Sequence, residues 1–237
     1  VGNLNAHYFA YPDKHWDSFM DNFCKTFNIA RNKLTTQVDH YDNLTELFDI
    51  IKRINTILID LNADIWMYIS INYFKLKTIS SEVGSSTMPH KVNPINFENS
   101  EGNLYMANGI LNVFSQKLPI SRYQRDLTDS TICRNFGAGF GYCLLAYESL
   151  ITGLNKLEIN RPIIENDLDD NWSILTEAVQ CVMKTENIDN AYEKVKNHSR
   201  GLEGGFTEDT YISLVESLEL TDENKKRLLN LTPTNYF

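Results

Sequence analysis

The sequence predicts an all-α protein: a bundle of long helices followed by a small helical C-terminal domain. Three observations carry this. From Leu44 onward, Leu47, Ile51, Ile54, Leu58, Leu61, Ile65 and Tyr68 alternate steps of three and four, a heptad seam running toward Thr78. A second stripe, Phe97, Leu104, Ala107, Leu111, Phe114 and Leu118, has the same helical spacing. No strand-like alternation of useful length interrupts either. A helix of roughly 35 residues spans about 50 Å, which outgrows an ordinary globular core and belongs in a bundle. Phe48, Ile50, Ile57, Trp66, Met67 and Ile69 add apolar surface on its other side, so it should meet several neighbours, other subunits among them.

Residues 1–15 are mixed in character and close at Pro12. Trp16 to Phe27 fits a short helix, with Trp16, Phe19, Phe23 and Phe27 in one stripe. Lys33 to Asp42 reads as loop. Asn43 stands three residues before Glu46, the spacing of a capping box that opens the long helix. A polar stretch, Gly84 to Pro94, separates it from the second helix. That helix should start at Pro94 with Asn93 as its N-cap and run to about Lys117. Gly102 and Gly109 are two turns apart and suit a close helix approach. A link from Pro119 to Asp126 leads to a third helix through Leu150. Its Gly137, Gly139 and Gly141 lack the spacing and preceding strand of a dinucleotide fingerprint and read as tight packing. The segment Gly153 to Arg161 reads as a boundary, giving domains at 1–154 and 155–237. Shorter helical patterns follow at Pro162–Lys184, Ala191–His198, Glu208–Glu219 and Asp222–Leu229.

The chain of 237 residues carries a net charge of −9, with no basic tail. That balance argues against bulk binding to nucleic acid or an anionic membrane, while leaving room for a local cationic pocket. Cys24, Cys133, Cys143 and Cys181 show no C-x-x-C spacing and read as reduced core thiols of a cytoplasmic protein. No membrane span, signal peptide, metal site or cofactor motif is evident.

The polar stretch Gly-Ser-Ser-Thr-Met-Pro-His-Lys-Val-Asn-Pro, residues 84–94, concentrates the chemistry. Pro89 and Pro94 push Met88 and Asn93 toward extended backbone. A helix N-terminus at Asn93 and Pro94 aims free N–H groups and partial positive charge over the loop, and Lys91 adds a full charge. Such a loop suits holding an anion and moving a proton beside it. A solvated Ser–Ser–Thr loop with ordinary helix punctuation is the plainer reading. A second set is Arg125, Ser130 and Arg134. Ser130 and Arg134 lie one helical turn apart, and Arg125 sits just before that helix. Two readings stand: a phosphate clamp, or guanidiniums paired with Asp126 and Asp129.

The string 84–94 resembles the signature of the fumarase/aspartase superfamily. Its flanks, Glu98 to Asn103 and Ser121 to Thr131, resemble the adenylosuccinate lyases within it, and the likeness runs the full length of the chain. The resemblance implies a small-molecule substrate, elimination of fumarate, no cofactor or metal, and four subunits that join their long helices and share active sites. It implies Ser85 as the base, activated by the positive surroundings of Lys91 and the helix start, which also stabilise the carbanionic intermediate. Glu98 matches a carboxylate that orients a catalytic histidine. Gln37, Ser86, Met88 and Asn93 match substrate-binding positions, and Arg125, Ser130 and Arg134 match the phosphate grip. The family's general acid is a histidine in a motif that none of His7, His15, His40, His90 and His198 reproduces. The expectation is that it lies upstream of Val1, along with an arginine–tyrosine pair of the phosphate grip. Other fumarate-releasing lyases, such as argininosuccinate lyase, do not need the phosphate clamp. A non-catalytic assembly protein of the same fold has no use for Ser85, Lys91 and Asn93 together.

Overall fold

The long helix α3 spans Asp42–Ser70 in a computed structural model that describes residues 2–77, 93–201 and 205–236. Before it come α1, Asn5–Ala10, which sequence patterning did not reveal, and α2, Trp16–Thr26. The expected aromatic stripe of α2 is not a core: Phe19, Phe23 and Phe27 are exposed. The 29 residues of α3 extend about 43 Å. It is shorter than the seam predicts, because Asn72 takes left-handed backbone (φ 64°) and the chain turns away. It also starts at Asp42, so Asn43 lies inside the first turn rather than at the cap. The chain then forms β1, Phe74–Leu76, which pairs with β2, Leu157–Ile159. The Lys77 N–H donates to the Lys156 carbonyl at 2.8 Å and the Asn160 N–H to the Tyr73 carbonyl at 2.9 Å, an antiparallel register. Three-residue strands are too short to show as alternation.

The face that α3 buries within this chain is not the heptad seam. Its buried residues are Phe48, Asn55, Asn62 and Ile65. Leu47, Ile54, Leu61 and Tyr68 of the seam are exposed, and Ile65 is its one buried member. The two asparagines are fully buried because each finds partners. The Asn55 Nδ2 donates to Asn108 Oδ1 (2.9 Å) and Cys143 Sγ (3.4 Å), while its Oδ1 accepts from the Tyr147 hydroxyl (2.5 Å). The Asn62 Nδ2 donates to the Leu58 carbonyl (2.8 Å) and to Ser100 Oγ (3.0 Å). The Asn62 Oδ1 is buried with no partner among the described residues, so the Asn55 amide, bonded through both its nitrogen and its oxygen, fixes the helix register more sharply than the Asn62 amide does.

Helix α4 spans Ile95–Lys117. Its predicted stripe, Phe97, Leu104, Ala107, Leu111, Phe114 and Leu118, is buried throughout. The partner pairs Lys52–Asn112, Asn55–Asn108, Asn62–Ser100 and Trp66–Glu98 run in opposite directions along the chain, so α3 and α4 are antiparallel. The predicted third helix is two: α5, Thr128–Cys133, and α6, Phe136–Lys156. Asn135 breaks them with bridge-region backbone (φ −98°, ψ 3°). Helix α6 returns antiparallel to α4, with Gly139 against Phe114 and Gly153 against Phe97. A Cβ on Gly153 would stand 2.8 Å from Phe97 Cζ, so this approach requires glycine. The expected close approach at Gly102 and Gly109, and at Gly137 and Gly141, does not occur: no described neighbour lies within 4 Å of an added Cβ.

These elements form one compact unit, Val1–Ile69 with Leu76–Leu157; the other is Ser70–Lys75 with Glu158–Phe237. The second unit holds α7, Arg161–Asp169; α8, Thr176–Thr185; α9, Ala191–Ser199; α10, Glu208–Ser217; and α11, Asp222–Leu229. The single pattern predicted over Pro162–Lys184 is interrupted by a 3-10 turn at Trp172–Leu175. The core here gathers Leu175, Val179, Met183, Tyr211, Leu214 and Leu228. Of the four cysteines only Cys143 is buried; Cys24 and Cys133 are half-buried and Cys181 is exposed, contrary to the expectation of four core thiols. Among the described residues no helix is long and apolar enough to cross a membrane.

Candidate active site

Ser85, Ser86, Met88 and Lys91 lie outside the described residues. The other predicted site residues fall at two ends of the antiparallel helices. At one end, half-buried Asn93 precedes α4. It is not the N-cap: Pro94 holds that place with φ −77° and ψ 45°, and no side chain caps the helix. The Pro94 carbonyl accepts from the Phe97 and Glu98 N–H groups at 3.0 and 3.2 Å. The first N–H groups of such a helix have no intrahelical acceptor and keep the partial positive end facing outward. This turn is held firmly. Phe97 is buried against Gly153, the Ser149 hydroxyl donates to the Asn96 carbonyl at 2.9 Å, and Lys156 Nζ donates to Asn96 Oδ1 at 3.1 Å. Exposed Glu98 accepts a hydrogen bond from Trp66 Nε1 at 3.0 Å. Trp66 read as one more apolar residue of α3. Its link to Glu98 depends on the antiparallel register, which no local pattern discloses.

At the other end lie Gln37, Arg125, Ser130 and Arg134. Gln37 is exposed on the loop before α3. Thr36, Val38, His40 and Tyr41 of that loop line a small cavity of about 40 Å³ together with Ser121, Asp126 and Asp129. Ser130 is half-buried; its hydroxyl donates to the Leu127 carbonyl at 3.0 Å. Arg134 continues the turn of α5 with helical backbone, so it lies one turn beyond Ser130 as the spacing predicts.

The alternative of arginine–aspartate pairing is not what the side chains adopt. Among the described residues neither Arg125 nor Arg134 forms an ion pair. Asp126 faces Arg122 at 3.8 Å and accepts from the Thr128 N–H at 2.9 Å, a backbone bond that holds its carboxyl below the usual range. Asp129 accepts from the Tyr41 hydroxyl at 3.0 Å and from the Ser130 N–H at 2.7 Å. Both guanidiniums are exposed, which suits recognition of a phosphate. Burial, followed by the bond to Asp129, pushes the Tyr41 hydroxyl up to about 12, so it stays protonated and donating.

The two ends are separated by the 23 residues of α4, about 35 Å. Asn93 and Glu98 therefore stand far from Arg125, Ser130 and Arg134 within one chain. Among the described residues no group of histidine, cysteine, aspartate and glutamate is placed to hold a metal ion.

A family model described as Lyase matches residues 2–109, and one described as Adenylosuccinate lyase C-terminal matches residues 121–237. Curated adenylosuccinate lyases of Haemophilus influenzae and Escherichia coli are each 50% identical over 236 residues, covering 100% of this chain and 51% of the relative. The chain thus spans about half the length of the curated relatives it matches. Two solved structures share the fold. A class II fumarase from Schistosoma mansoni aligns with a TM-score of 0.60 at 20% identity, over 92% of this chain and 47% of its own. A fumarate lyase:delta crystallin from Brucella melitensis aligns with 0.54 at 19% identity, over 78% and 39%.

Proposed function

This chain belongs to the adenylosuccinate lyase family, and we propose that it works as a carbon–nitrogen lyase that eliminates fumarate from adenylosuccinate to leave AMP. The same chemistry serves the succinylated aminoimidazole carboxamide ribotide of purine nucleotide biosynthesis. Ser85, as alkoxide, takes the proton from the carbon next to a substrate carboxylate. The charge left behind spreads into that carboxylate, where Lys91, Asn93 and the start of α4 stabilise it. The carbon–nitrogen bond then breaks, fumarate forms, and the departing nitrogen takes up a proton. We assign that acid to none of the five histidines here. Ser86, Met88 and Gln37 contact the substrate, and Glu98 orients a catalytic partner. Arg125, Ser130 and Arg134 grip the phosphate. No cofactor or metal has a role.

The observation that carries this reading is that the exposed guanidiniums of Arg125 and Arg134, before and after Ser130 in the chain, form no ion pair with the neighbouring aspartates among the described residues. The separation of the two ends by the length of α4 supports sites built from more than one chain. We propose a homotetramer in the cytoplasm, each site drawing on three subunits, with the exposed face of Leu47, Ile54 and Leu61 turned to neighbouring helices. The substrate class is tested at Arg134. Lysine cannot reproduce the planar fork, so Arg134→Lys raises KM for adenylosuccinate and weakens AMP. A dephosphorylated substrate binds wild type and variant about equally poorly. Unchanged AMP affinity in Arg134→Lys removes the clamp.

A further inference from the structure

We propose that Tyr41 is a positioning residue: its hydroxyl ties the Gln37 loop to the first turn of α5 and so sets where Ser130 and Arg134 meet a substrate phosphate. This rests on the phosphate reading of that cluster. Three observations support it. First, the Tyr41 hydroxyl donates to Asp129 Oδ2 at 3.0 Å, across 88 residues of sequence. The other oxygen of that carboxylate accepts the N–H of Ser130 at 2.7 Å. One side chain thus links the loop to the backbone of a clamp residue.

Second, Tyr41 holds left-handed backbone (φ 61°). For a bulky residue this is strained, and such strain persists only where the surroundings over-determine it. They do so here. The Tyr41 N–H donates to Asp39 Oδ2 at 3.0 Å, and its carbonyl accepts from the Thr45 N–H at 2.9 Å at the start of α3. The distorted residue is the joint between the loop and the long helix. Third, the loop and the link before α5 enclose the small cavity bounded by Thr36, Tyr41, Asp126 and Asp129. Together these make the Gln37 loop and the start of α5 one body, with Tyr41 as the fastener.

The test uses the full-length protein and three ligands: adenylosuccinate, AMP and fumarate. Tyr41→Phe removes one oxygen and leaves the ring. It should raise KM for adenylosuccinate and the inhibition constant of AMP together by about tenfold, the scale of one lost charge-assisted hydrogen bond. The inhibition constant of fumarate, which carries no phosphate, should move less than twofold, and that selectivity separates positioning from general damage. Asp129→Ala should give the same pattern, and the double variant should be no worse than Asp129→Ala alone. Equal weakening of AMP and fumarate, or additive effects in the double variant, overturns the tie. If Arg134→Lys weakens AMP and Tyr41→Phe does not, the tie fails while the clamp stands. If wild type releases no fumarate from adenylosuccinate, the functional reading fails and the tie falls with it.

Discussion

Gly153 offers the sharpest test of how α6 seats the start of α4. An alanine there places Cβ 2.8 Å from Phe97 Cζ and 3.1 Å from Asn96 Cβ. Ordinary contact begins near 3.4 Å, so Phe97 must retreat by about 0.6 Å or α6 must shift. Phe97 is buried and has little room. Overpacking of this kind costs about 1–3 kcal/mol. Alanine also gains about 1 kcal/mol over glycine in helix propensity. Gly141→Ala, on the same helix and with no described neighbour within 4 Å of the new Cβ, removes that confusion. It carries the propensity gain without the clash. The two variants should therefore differ by about 1–3 kcal/mol, with Gly141→Ala the more stable. The measurement is the shift of the urea midpoint, with the slope checked for constancy. A Gly153→Ala protein as stable as Gly141→Ala would show that the Phe97 contact is soft and that the turn carrying Asn93 and Glu98 is not held as described.

Two further predictions concern the second unit. Tyr211 is buried and donates to the Leu228 carbonyl at 2.8 Å; that carbonyl also accepts from the Leu231 N–H at 2.9 Å. Because the acceptor keeps a partner, Tyr211→Phe should cost only about 1 kcal/mol in denaturant unfolding, and a loss above 3 would mean the hydroxyl does more than this bond. The Glu186 carboxylate accepts from the Thr221 N–H (3.0 Å), the Thr221 hydroxyl (2.5 Å) and Asn224 Nδ2 (2.6 Å). The Thr221 side-chain bond leads in holding its carboxyl below the usual range. A depressed folded value contributes stability that is present above the unfolded value and lost as pH falls through the folded one. Wild type should therefore lose more stability than Glu186→Gln on acidification below about pH 4.5. Parallel acid profiles would remove this group as a contributor.

The sequence disclosed α4 and its buried stripe because Phe97, Leu104, Leu111 and Phe114 find their neighbours, α3 and α6, within the same chain. For α3 the sequence showed apolar residues on more than one side without showing which of them this chain buries. Leu47, Ile54 and Leu61 are as apolar as a core demands, yet they stay exposed among the described residues, while Asn55 and Asn62 are polar and buried. Composition records which side chains favour burial; it does not record which face a chain fills for itself. The expected glycine contacts split in the same way: Gly139 lies against Phe114, whereas Gly102, Gly109, Gly137 and Gly141 meet no described neighbour, and Gly153, which read as part of a boundary, packs against Phe97. In the candidate site, the i, i+4 relation of Ser130 and Arg134 was legible because it is local. The Trp66–Glu98 and Tyr41–Asp129 bonds were not, since each depends on the register of antiparallel helices or on a left-handed tyrosine. The placement of the candidate residues at opposite ends of α4 is likewise a matter of length and direction, invisible in a motif.

The most direct measurement of the central claim is fumarate release from adenylosuccinate by the protein at its natural full length, followed by absorbance. The account predicts steady release of fumarate and AMP by wild type. It predicts a loss of about 10²–10⁴-fold or more in kcat for Ser85→Ala, with AMP still bound. No release by wild type, or near-normal turnover by Ser85→Ala, contradicts it.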